Sequence, residues 1–183
     1  HQALHRARQM IELFEDPAGG GYYRSAEDGE MLIMRTKELN DGAMPAGNSC
    51  AAMVLAQLSQ LTGESFWSDA TRRQLTNIAG SAEKFPIGFT YAMLAMDQML
   101  SSHQELVCCT RGMPTEHLDY LKKTPARNLS ILIKDPAGEA VLNSAAPFTA
   151  AYAIPESGTC WYLCENGSCR LPSDTFPLTK KDD

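Results

Sequence analysis

The first hundred residues repeat one pattern, an amphipathic helical segment followed by a short connector, and this repetition most constrains the fold. Apolar side chains recur at i, i+3 and i+4 spacing in segments 3–15, 49–62, 64–84 and 89–100. Breaks such as Asp16-Pro17 stop the helical pattern. Sequential helices with short links pack as antiparallel hairpins. The pattern therefore predicts a mainly α fold in which residues 1–102 form helical hairpins.

Two regions depart from the helical pattern. Residues 18–35 combine a run of three consecutive glycines with short aromatic and apolar runs, which predicts a β-hairpin insertion. Beyond residue 102, an apolar strand at 105–109, a helix at 115–123 and a strand at 129–134 predict a βαβ-like unit. A last strand is expected at 159–163. Together these predict a small α/β C-terminal lobe over 103–183.

Charge and hydropathy exclude two classes of partner. The chain has 183 residues and a net charge of −6, without the clustered Lys and Arg that phosphate binding needs. No apolar run approaches the roughly 18 residues that a membrane-spanning helix requires. The chain begins with His1, already inside a helical pattern, so we expect a piece of a longer protein. We expect neither nucleic acid nor membrane as partner.

Six cysteines indicate the compartment and raise a redox alternative. Their spacing does not resemble a secreted disulfide framework, so we expect a reducing cytoplasm. Cys160, Cys164 and Cys169 cluster near the C-terminus, where a zinc site, a disulfide or reactive pair, and ordinary thiols are all open. The gaps differ from the usual C-x2-C pairs, so we expect reduced thiols, no metal and no cofactor.

The segment 37–49 is the best candidate for a binding site. It is a Gly- and Pro-rich loop that delivers polar groups to the start of a helix, a favourable position for a ligand. In a binding role Asp41, Asn48 and Ser49 would hydrogen-bond a ligand. In a structural role Asn48 would cap the helix and Asp41 would stabilise the turn. Lys37 and Glu38 are candidate acid/base groups, or else a solvated ion pair.

Four stretches of the chain resemble one known family. They are the loop 37–49 with the following Ala-Ala-Met, the Gly-Gly-Gly-Tyr-Tyr run with the later Asp-Gly-Glu, segment 85–97, and the closing segment 162–172. In this order they resemble the C-terminal part of the thioredoxin-domain-containing family of bacterial YyaL and spermatogenesis-associated protein 20. The resemblance covers nearly the whole chain.

The resemblance implies a longer parent protein and a type of fold. Members of this family carry an N-terminal thioredoxin-like domain, which would be a partner of the present chain. Their remaining parts look like an (α/α) toroid of the six-hairpin glycosidase and N-acylglucosamine 2-epimerase kind. This chain would then be a partial (α/α) toroid with its β-hairpin insertion and α/β lobe. In such a toroid Asp41, Asn48, Ser49 and Tyr91 would line a central funnel and bind sugar.

Carbohydrate binding or processing is therefore the expected function, and whether catalysis occurs stays open. Glycoside hydrolysis needs two carboxylates at a defined separation, and Glu30, Glu38 and Asp41 are the candidates. A 2-epimerase base is usually histidine, and no histidine here lies in a motif. Exposed helix faces would favour a homodimer. The alternatives are a non-catalytic scaffold serving the thioredoxin-like domain, or redox work by the cysteine pair at positions 164 and 169.

Overall fold

A computed structural model describes residues 1–30, 33–123 and 128–178. The chain divides into two compact units, which we take in turn. The first contains His1–Ser59 and Glu64–Leu100, and the second contains Gln60–Gly63 and the described residues from Ser101 onward.

Helices build the first unit. They are α1 (Gln2–Phe14), α2 (Gly47–Thr62), α3 (Ser65–Lys84) and α4 (Thr90–Leu100), the last preceded by a 3₁₀ turn at Pro86–Phe89. Gly63 has φ 68° directly after α2, the left-handed residue that commonly ends a helix. The four predicted helices are confirmed, and their ends differ from the predicted ones by two residues or fewer.

Two apolar clusters hold the first unit together. One buries Trp67 completely, and α1 covers it with partly buried side chains. Its buried members are Ala7, Tyr22, Ala51, Leu55, Leu58, Trp67 and Ala70. The other contains Ala52, Leu75, Ile78, Ala82, Phe89, Ala92 and Ala95. Because α2 contributes neighbouring residues 51 and 52 to different clusters, it is buried on two sides.

A mixed sheet organises the second unit. Its strands are β1 (Gln104–Thr110), β2 (Leu129–Lys134), β3 (Thr159–Glu165) and β4 (Ser168–Cys169), in the order β2-β1-β3-β4. β1 pairs parallel with β2 and antiparallel with β3. Helix α5 (Thr115–Lys123) lies between β1 and β2 in the chain, so the predicted βαβ connection is confirmed. Helix α6 (Glu139–Ala145) and a 3₁₀ turn, Pro147–Ala151, precede β3.

The two faces of this sheet differ in chemistry because successive side chains of a strand alternate. One face carries Leu106, Cys108, Trp161 and Leu163 and packs with Phe176 into an apolar core. The opposite face carries the residues of the other parity. They include Glu105, Val107, Cys109, Cys160, Tyr162, Cys164 and Lys134. Cys109, Cys160 and Cys164 thus share a face with Glu105 and Lys134, whereas Cys108 lies on the apolar face.

The prediction of a mainly α fold, a partial (α/α) toroid with a small α/β appendage, is wrong. The described residues contain six α-helices and a four-stranded mixed sheet with its own apolar core, which is an α/β mix. The helical periodicity of the first hundred residues is a local signal and dominated the prediction. Pairing between β1 and β3 joins residues about fifty positions apart, and such non-local pairing leaves little local trace.

The predicted β-hairpin insertion at 18–35 is also wrong for the described residues of that segment. They form turns and bends, with an isolated bridge between Glu15 and Tyr22. Gly20 and Gly21 have φ of 72° and 76°, which turns the chain sharply after α1. Ile33, expected in a strand, is exposed. Residues 31 and 32 of the predicted second strand lie outside the described residues.

Helix α6 is a further departure from prediction. No helix or strand was predicted between residues 134 and 159, yet residues 139–145 are helical and 147–151 form a 3₁₀ turn. The cap residue Gly138 makes no side-chain hydrogen bond to the helix start. A seven-residue helix without a polar cap carries little periodicity, which explains why the pattern missed it.

Candidate functional site

Asp41 joins the predicted loop to the start of α4. Its Oδ1 accepts a hydrogen bond from the Ala46 amide at 2.9 Å, and its Oδ2 accepts one from the Tyr91 amide at 2.8 Å. Its own amide donates to the Gly88 carbonyl at 2.7 Å. The carboxylate therefore stabilises the turn, as the structural interpretation expected, and also caps a helix from a distance in sequence.

Asn48 is a buried hydrogen-bonding centre. Its side-chain oxygen accepts from the Tyr22 amide at 2.7 Å and from Gln74 Nε2 at 3.0 Å. Its side-chain nitrogen donates to the carbonyls of Tyr22 at 2.9 Å and Glu38 at 2.8 Å. All the capacity of one amide side chain is thus used within the protein. Asn48 fastens the glycine-rich turn and the loop to α2 and α3.

Ser49 and Tyr91 occupy different environments. Ser49 is fully buried, and its hydroxyl has no hydrogen-bond partner among the described residues. Tyr91 is half-buried and contacts Asp41 through its backbone amide. The structure therefore brings Tyr91 and Asp41 together, whereas the Ser49 hydroxyl points into the interior. Their roles in ligand binding stay predictions.

Lys37 and Glu38 are neighbours in sequence with separate ionic partners. Lys37 donates to the Asp16 carboxylate and to the Gly20 carbonyl, and Glu38 lies 3.9 Å from Arg24 Nε. The Lys37 ammonium, followed by the Gly19 amide, holds the pKa of Asp16 well below its usual range. Lys37 is therefore engaged in holding the turn after α1, whereas Glu38 is exposed.

A cleft of about 340 Å³ opens beside Asn48 and Glu38. Apolar and aromatic side chains form much of its wall, and the Arg24–Glu38 pair supplies charge with both side chains more than half exposed. Its lining residues are Met10, Phe14, Tyr22, Tyr23, Arg24, Glu38, Gly47, Asn48 and Ala51. The volume lies in the range of small-molecule sites, about 300–1,000 Å³.

Arg24 and Gln74 were missed by sequence reasoning. Arg24 lay in the predicted hairpin, where an exposed strand residue attracts no attention, and only the folded loop brings it near Glu38. Gln74 lies on α3, 26 positions from Asn48, and no spacing rule connects them. The Tyr-Tyr-Arg run beside three glycines was the available signal for Arg24, because arginine next to aromatic residues is common in binding sites.

The second unit contains the other predicted pair, Cys164 and Cys169. They form a disulfide across β3 and β4, so the expectation of reduced thiols is wrong for these two residues. Asn166 and Gly167 have φ of 49° and 79°, the conformation of a tight hairpin turn. The turn places the two cysteines opposite each other, which spacing alone did not reveal. Cys160 remains a thiol.

The second unit also contains a buried lysine, Lys134. Lys134 is only 1% exposed, and its ammonium donates to the carbonyls of Thr149 at 2.9 Å and Tyr152 at 2.7 Å. Glu139 lies 3.2 Å from the same nitrogen. The ammonium thus fastens the segment that follows α6 onto the sheet. Sequence reasoning placed Lys134 at the end of a strand and assigned it no role.

Neither a membrane-spanning helix nor a metal-binding cluster is present among the described residues. No helix there combines the length and apolar character that a bilayer crossing demands. In the same ranges, no group of three or more His, Cys, Asp or Glu side chains is placed to hold a metal ion.

Comparison with known proteins finds similar proteins of the same name in three mammals. No protein-family model matches the chain. The chain is similar to human spermatogenesis-associated protein 20, with 28% identity over 183 residues, covering 97% of this chain and 23% of the human protein. The mouse protein of the same name is 27% identical with the same coverage. The rat protein is 28% identical over 174 residues, covering 92% of this chain and 22% of its own length.

The resemblance stated from the sequence motifs is therefore confirmed. The chain spans less than a quarter of the length of these relatives.

Proposed function

We propose that the first unit binds a small carbohydrate or a related polyol in the cleft beside Asn48. One observation carries the proposal: the cleft combines an apolar and aromatic wall with an exposed guanidinium–carboxylate pair, Arg24 and Glu38. Sugars offer an apolar face of C–H groups and a rim of hydroxyls. Phe14 and Tyr22 can pack against the apolar face of a sugar, and the Arg24–Glu38 pair can hydrogen-bond its hydroxyls.

We propose that the first unit binds the sugar without hydrolysing it, because the cleft lacks a second free carboxylate among its described lining residues. Glycoside hydrolysis uses two carboxyl groups about 5–9.5 Å apart. Glu38 is the acidic residue that lines the cleft, and both oxygens of Asp41 already accept backbone hydrogen bonds. In this proposal Arg24 and Glu38 orient the ligand, and Asn48 holds the cleft wall in place.

Thermal unfolding with a panel of mono- and disaccharides tests this proposal. A sugar at about 100 times its dissociation constant adds roughly 2.7 kcal/mol of stability. We expect one sugar class to raise the melting temperature, and Glu38→Gln or Arg24→Gln to abolish the rise. The paired variants Asp69→Asn and Arg72→Gln remove a comparable exposed ion pair on α3, outside this cleft, and should leave the rise unchanged.

Two outcomes would count against the carbohydrate proposal. One is the absence of a shift with every sugar. The other is a shift that survives in both Glu38→Gln and Arg24→Gln, which would mean that binding occurs elsewhere.

The second candidate is a non-catalytic interaction module that serves a thioredoxin-like domain of the parent protein. Every polar side-chain atom of Asp41 and Asn48 makes a hydrogen bond within the protein. This favours the interaction module, because these side chains then stabilise the fold and do not bind a ligand. Exposed apolar residues of α4, among them Met93 and Leu94, would supply the contact. A binding isotherm with the separately expressed thioredoxin-like domain tests this, and Leu94→Lys should weaken binding.

The cytoplasm is the compartment that we propose for the protein. Four cysteines of the described residues are thiols, namely Cys50, Cys108, Cys109 and Cys160, which supports a reducing environment. The Cys164–Cys169 disulfide weighs the other way. Fractionation of cells with an antibody against the parent protein tests the proposal, and recovery in the secretory pathway would overturn it.

A further inference from the structure

The Cys164–Cys169 disulfide is asymmetric in its exposure. Cys164 on β3 is 1% exposed, whereas Cys169 on β4 is exposed. The two-residue turn between the strands carries Cys169 at the end of a very short edge strand. An external thiolate therefore has access to one sulfur of this bond and not to the other.

A tyrosine hydroxyl lies against both sulfur atoms. Tyr152 Oη is 3.3 Å from Cys169 Sγ and 3.6 Å from Cys164 Sγ. Neither sulfur of a disulfide carries a hydrogen, so the hydroxyl is the donor in both contacts. A sulfur that becomes a thiolate is a much stronger acceptor than a disulfide sulfur. The contact would therefore strengthen when the bond opens.

Three contacts hold Tyr152 in this position. Its ring stacks on Tyr162 with centroids 4.3 Å apart, and its carbonyl accepts a hydrogen bond from the buried Lys134 ammonium. Its amide donates to the Thr149 carbonyl at 3.1 Å. Burial raises the pKa of Tyr152, so the hydroxyl keeps its proton at neutral pH and remains a donor.

Two other cysteines of this unit, Cys108 and Cys109, lack these features. Burial raises the pKa of the Cys108 thiol to about 12 and that of the Cys109 thiol to about 11. Both residues are fully buried. Since the thiolate is the reactive form, neither is placed for exchange with an external thiol. Cys160 lies four residues before Cys164 on the same strand, with Tyr162 between them.

We propose that the Cys164–Cys169 hairpin is a reversible thiol–disulfide exchange site for an external dithiol, with Cys169 as the attacked sulfur and Tyr152 as a positioning donor. The site belongs to the second unit and is independent of the carbohydrate proposal.

The exchange takes two steps. First, one thiolate of the dithiol attacks Cys169 Sγ, forming a mixed disulfide, and the electron pair of the broken bond leaves on Cys164 Sγ. Tyr152 donates a hydrogen bond to this thiolate, which then takes a proton from solvent. Second, the other thiolate of the dithiol attacks its partner sulfur in the mixed disulfide and releases Cys169. The dithiol loses two electrons and two protons, and the cysteine pair gains them.

The attacked sulfur can be identified by alkylation of single-cysteine variants of the hairpin. We expect Cys169 in Cys164→Ser to react with iodoacetamide at least about ten times faster than Cys164 in Cys169→Ser, because reactivity follows access to the sulfur. Peptide mass spectrometry separates these positions from the other four cysteines. Equal rates, or faster reaction of Cys164, would overturn the assignment of Cys169.

The role of Tyr152 is tested by the rate at which dithiothreitol reduces the full chain. We expect Tyr152→Phe to slow reduction about threefold to tenfold, because a hydrogen bond to the developing thiolate is lost. Tyr162→Phe is the matched control: it removes a hydroxyl from the same ring stack, one that bonds to Cys160, and leaves the Tyr152 contacts to Cys164 and Cys169 in place. Equal rates in both variants would remove Tyr152 from the proposal. Circular dichroism checks folding, and the alkylation comparison stands if a variant fails to fold.

Reversibility decides the proposal as a whole. In mixtures of reduced and oxidised dithiothreitol under native conditions, we expect the pair to open and re-form as the ratio changes. A bond that resists excess dithiothreitol until the chain is unfolded is structural, and a pair that never re-forms under oxidising mixtures is not an exchange site. Either result overturns the proposal.

Discussion

At the scale of single residues, the polar side chains of the candidate loop are engaged with the backbone of other segments. Asp41 accepts from two amides, and Asn48 contacts three segments through both ends of its side chain. Buried polar groups are costly unless they are bonded, so residues of this kind specify one arrangement of the loop. The Arg24–Glu38 pair is exposed and contributes little to stability, which leaves it available to a ligand.

Replacing Asn48 should therefore lower stability more than it alters any surface property. We expect Asn48→Ala to reduce the free energy of unfolding by about 3 kcal/mol, because several buried backbone groups lose their partners. Urea unfolding followed by circular dichroism measures the change. Asn77→Ala removes the hydrogen bond that its side-chain nitrogen donates to the Gly19 carbonyl, and should cost about 1 kcal/mol. Equal effects of the two variants would contradict the central role of Asn48.

At the scale of elements, two charged contacts fasten irregular segments to regular ones. Lys37 and Asp16 fasten the turn after α1 to the loop that leads to α2. In the second unit, Lys134 fastens the segment after α6 to the end of β2. Neither contact follows from a propensity rule, and each joins segments that a helix or strand pattern treats separately.

The Asp16–Lys37 contact predicts a dependence of stability on pH. The pKa of Asp16 is lowered in the folded state, chiefly by Lys37, whereas an unfolded aspartate titrates near about 3.9. The contribution is therefore present above the unfolded pKa and is lost as pH falls through the lower folded pKa. We expect the urea midpoint to fall between neutral pH and pH about 3. Lys37→Gln should reduce that fall, and Lys122→Gln, at an exposed lysine, should not.

Lys134 gives a second prediction at this scale. We expect Lys134→Met, which keeps the side-chain volume, to lower the free energy of unfolding by about 2 kcal/mol, because two carbonyls lose their donor. Lys122→Met, at an exposed position of α5, should change it by less than about 0.5 kcal/mol. Chemical denaturation of both variants measures the difference, and a neutral Lys134→Met would mean that the buried ammonium costs as much as it contributes.

At the scale of the whole molecule, exposed apolar residues bear on self-association. Large apolar side chains of the first unit are exposed around α4. They are Phe85, Ile87, Met93, Leu94 and Leu100. Exposed apolar surface of this kind marks an interaction site. The chain is acidic overall, with a net charge of −6, so association between copies would be opposed by charge and should strengthen with added salt.

The homodimer expected from the sequence stays a prediction, and light scattering tests it. We expect the mass of the chain in solution to rise above 20.0 kDa with concentration, and Leu94→Lys to return it to that value. Gln2→Lys, at an exposed polar position of α1, is the control and should not alter association. A monomer at every concentration would leave this apolar surface to another partner.

The division into domains 1–102 and 103–183 also stays a prediction. Limited proteolysis tests it, because cleavage concentrates at exposed connections between stable units. We expect an early cut near residue 102 followed by persistence of both fragments. Early cuts inside α2 or α3 would contradict this division.

The sequence by itself determined the local elements. Helix α5 and strand β2 begin and end where periodicity and capping predicted, and Gly63 and the Asn166-Gly167 turn lie where their conformational freedom is needed. Each of these signals is contained within a few residues, because a helix turn, a strand pleat or a tight turn is a short-range arrangement.

Only the tertiary structure decided which residues meet. Gln74 contacts Asn48 from 26 positions away, Arg24 contacts Glu38, and Tyr152 contacts the two sulfurs of the hairpin. The sheet also depends on tertiary structure, because its β1–β3 pairing joins segments that are distant in the chain. This pairing is the reason that the fold is an α/β mix and not the mainly α fold predicted from the sequence. These contacts form because buried polar groups need hydrogen-bond partners and apolar faces need to pack, and the partners come from distant parts of the chain. A local sequence pattern therefore does not predict them.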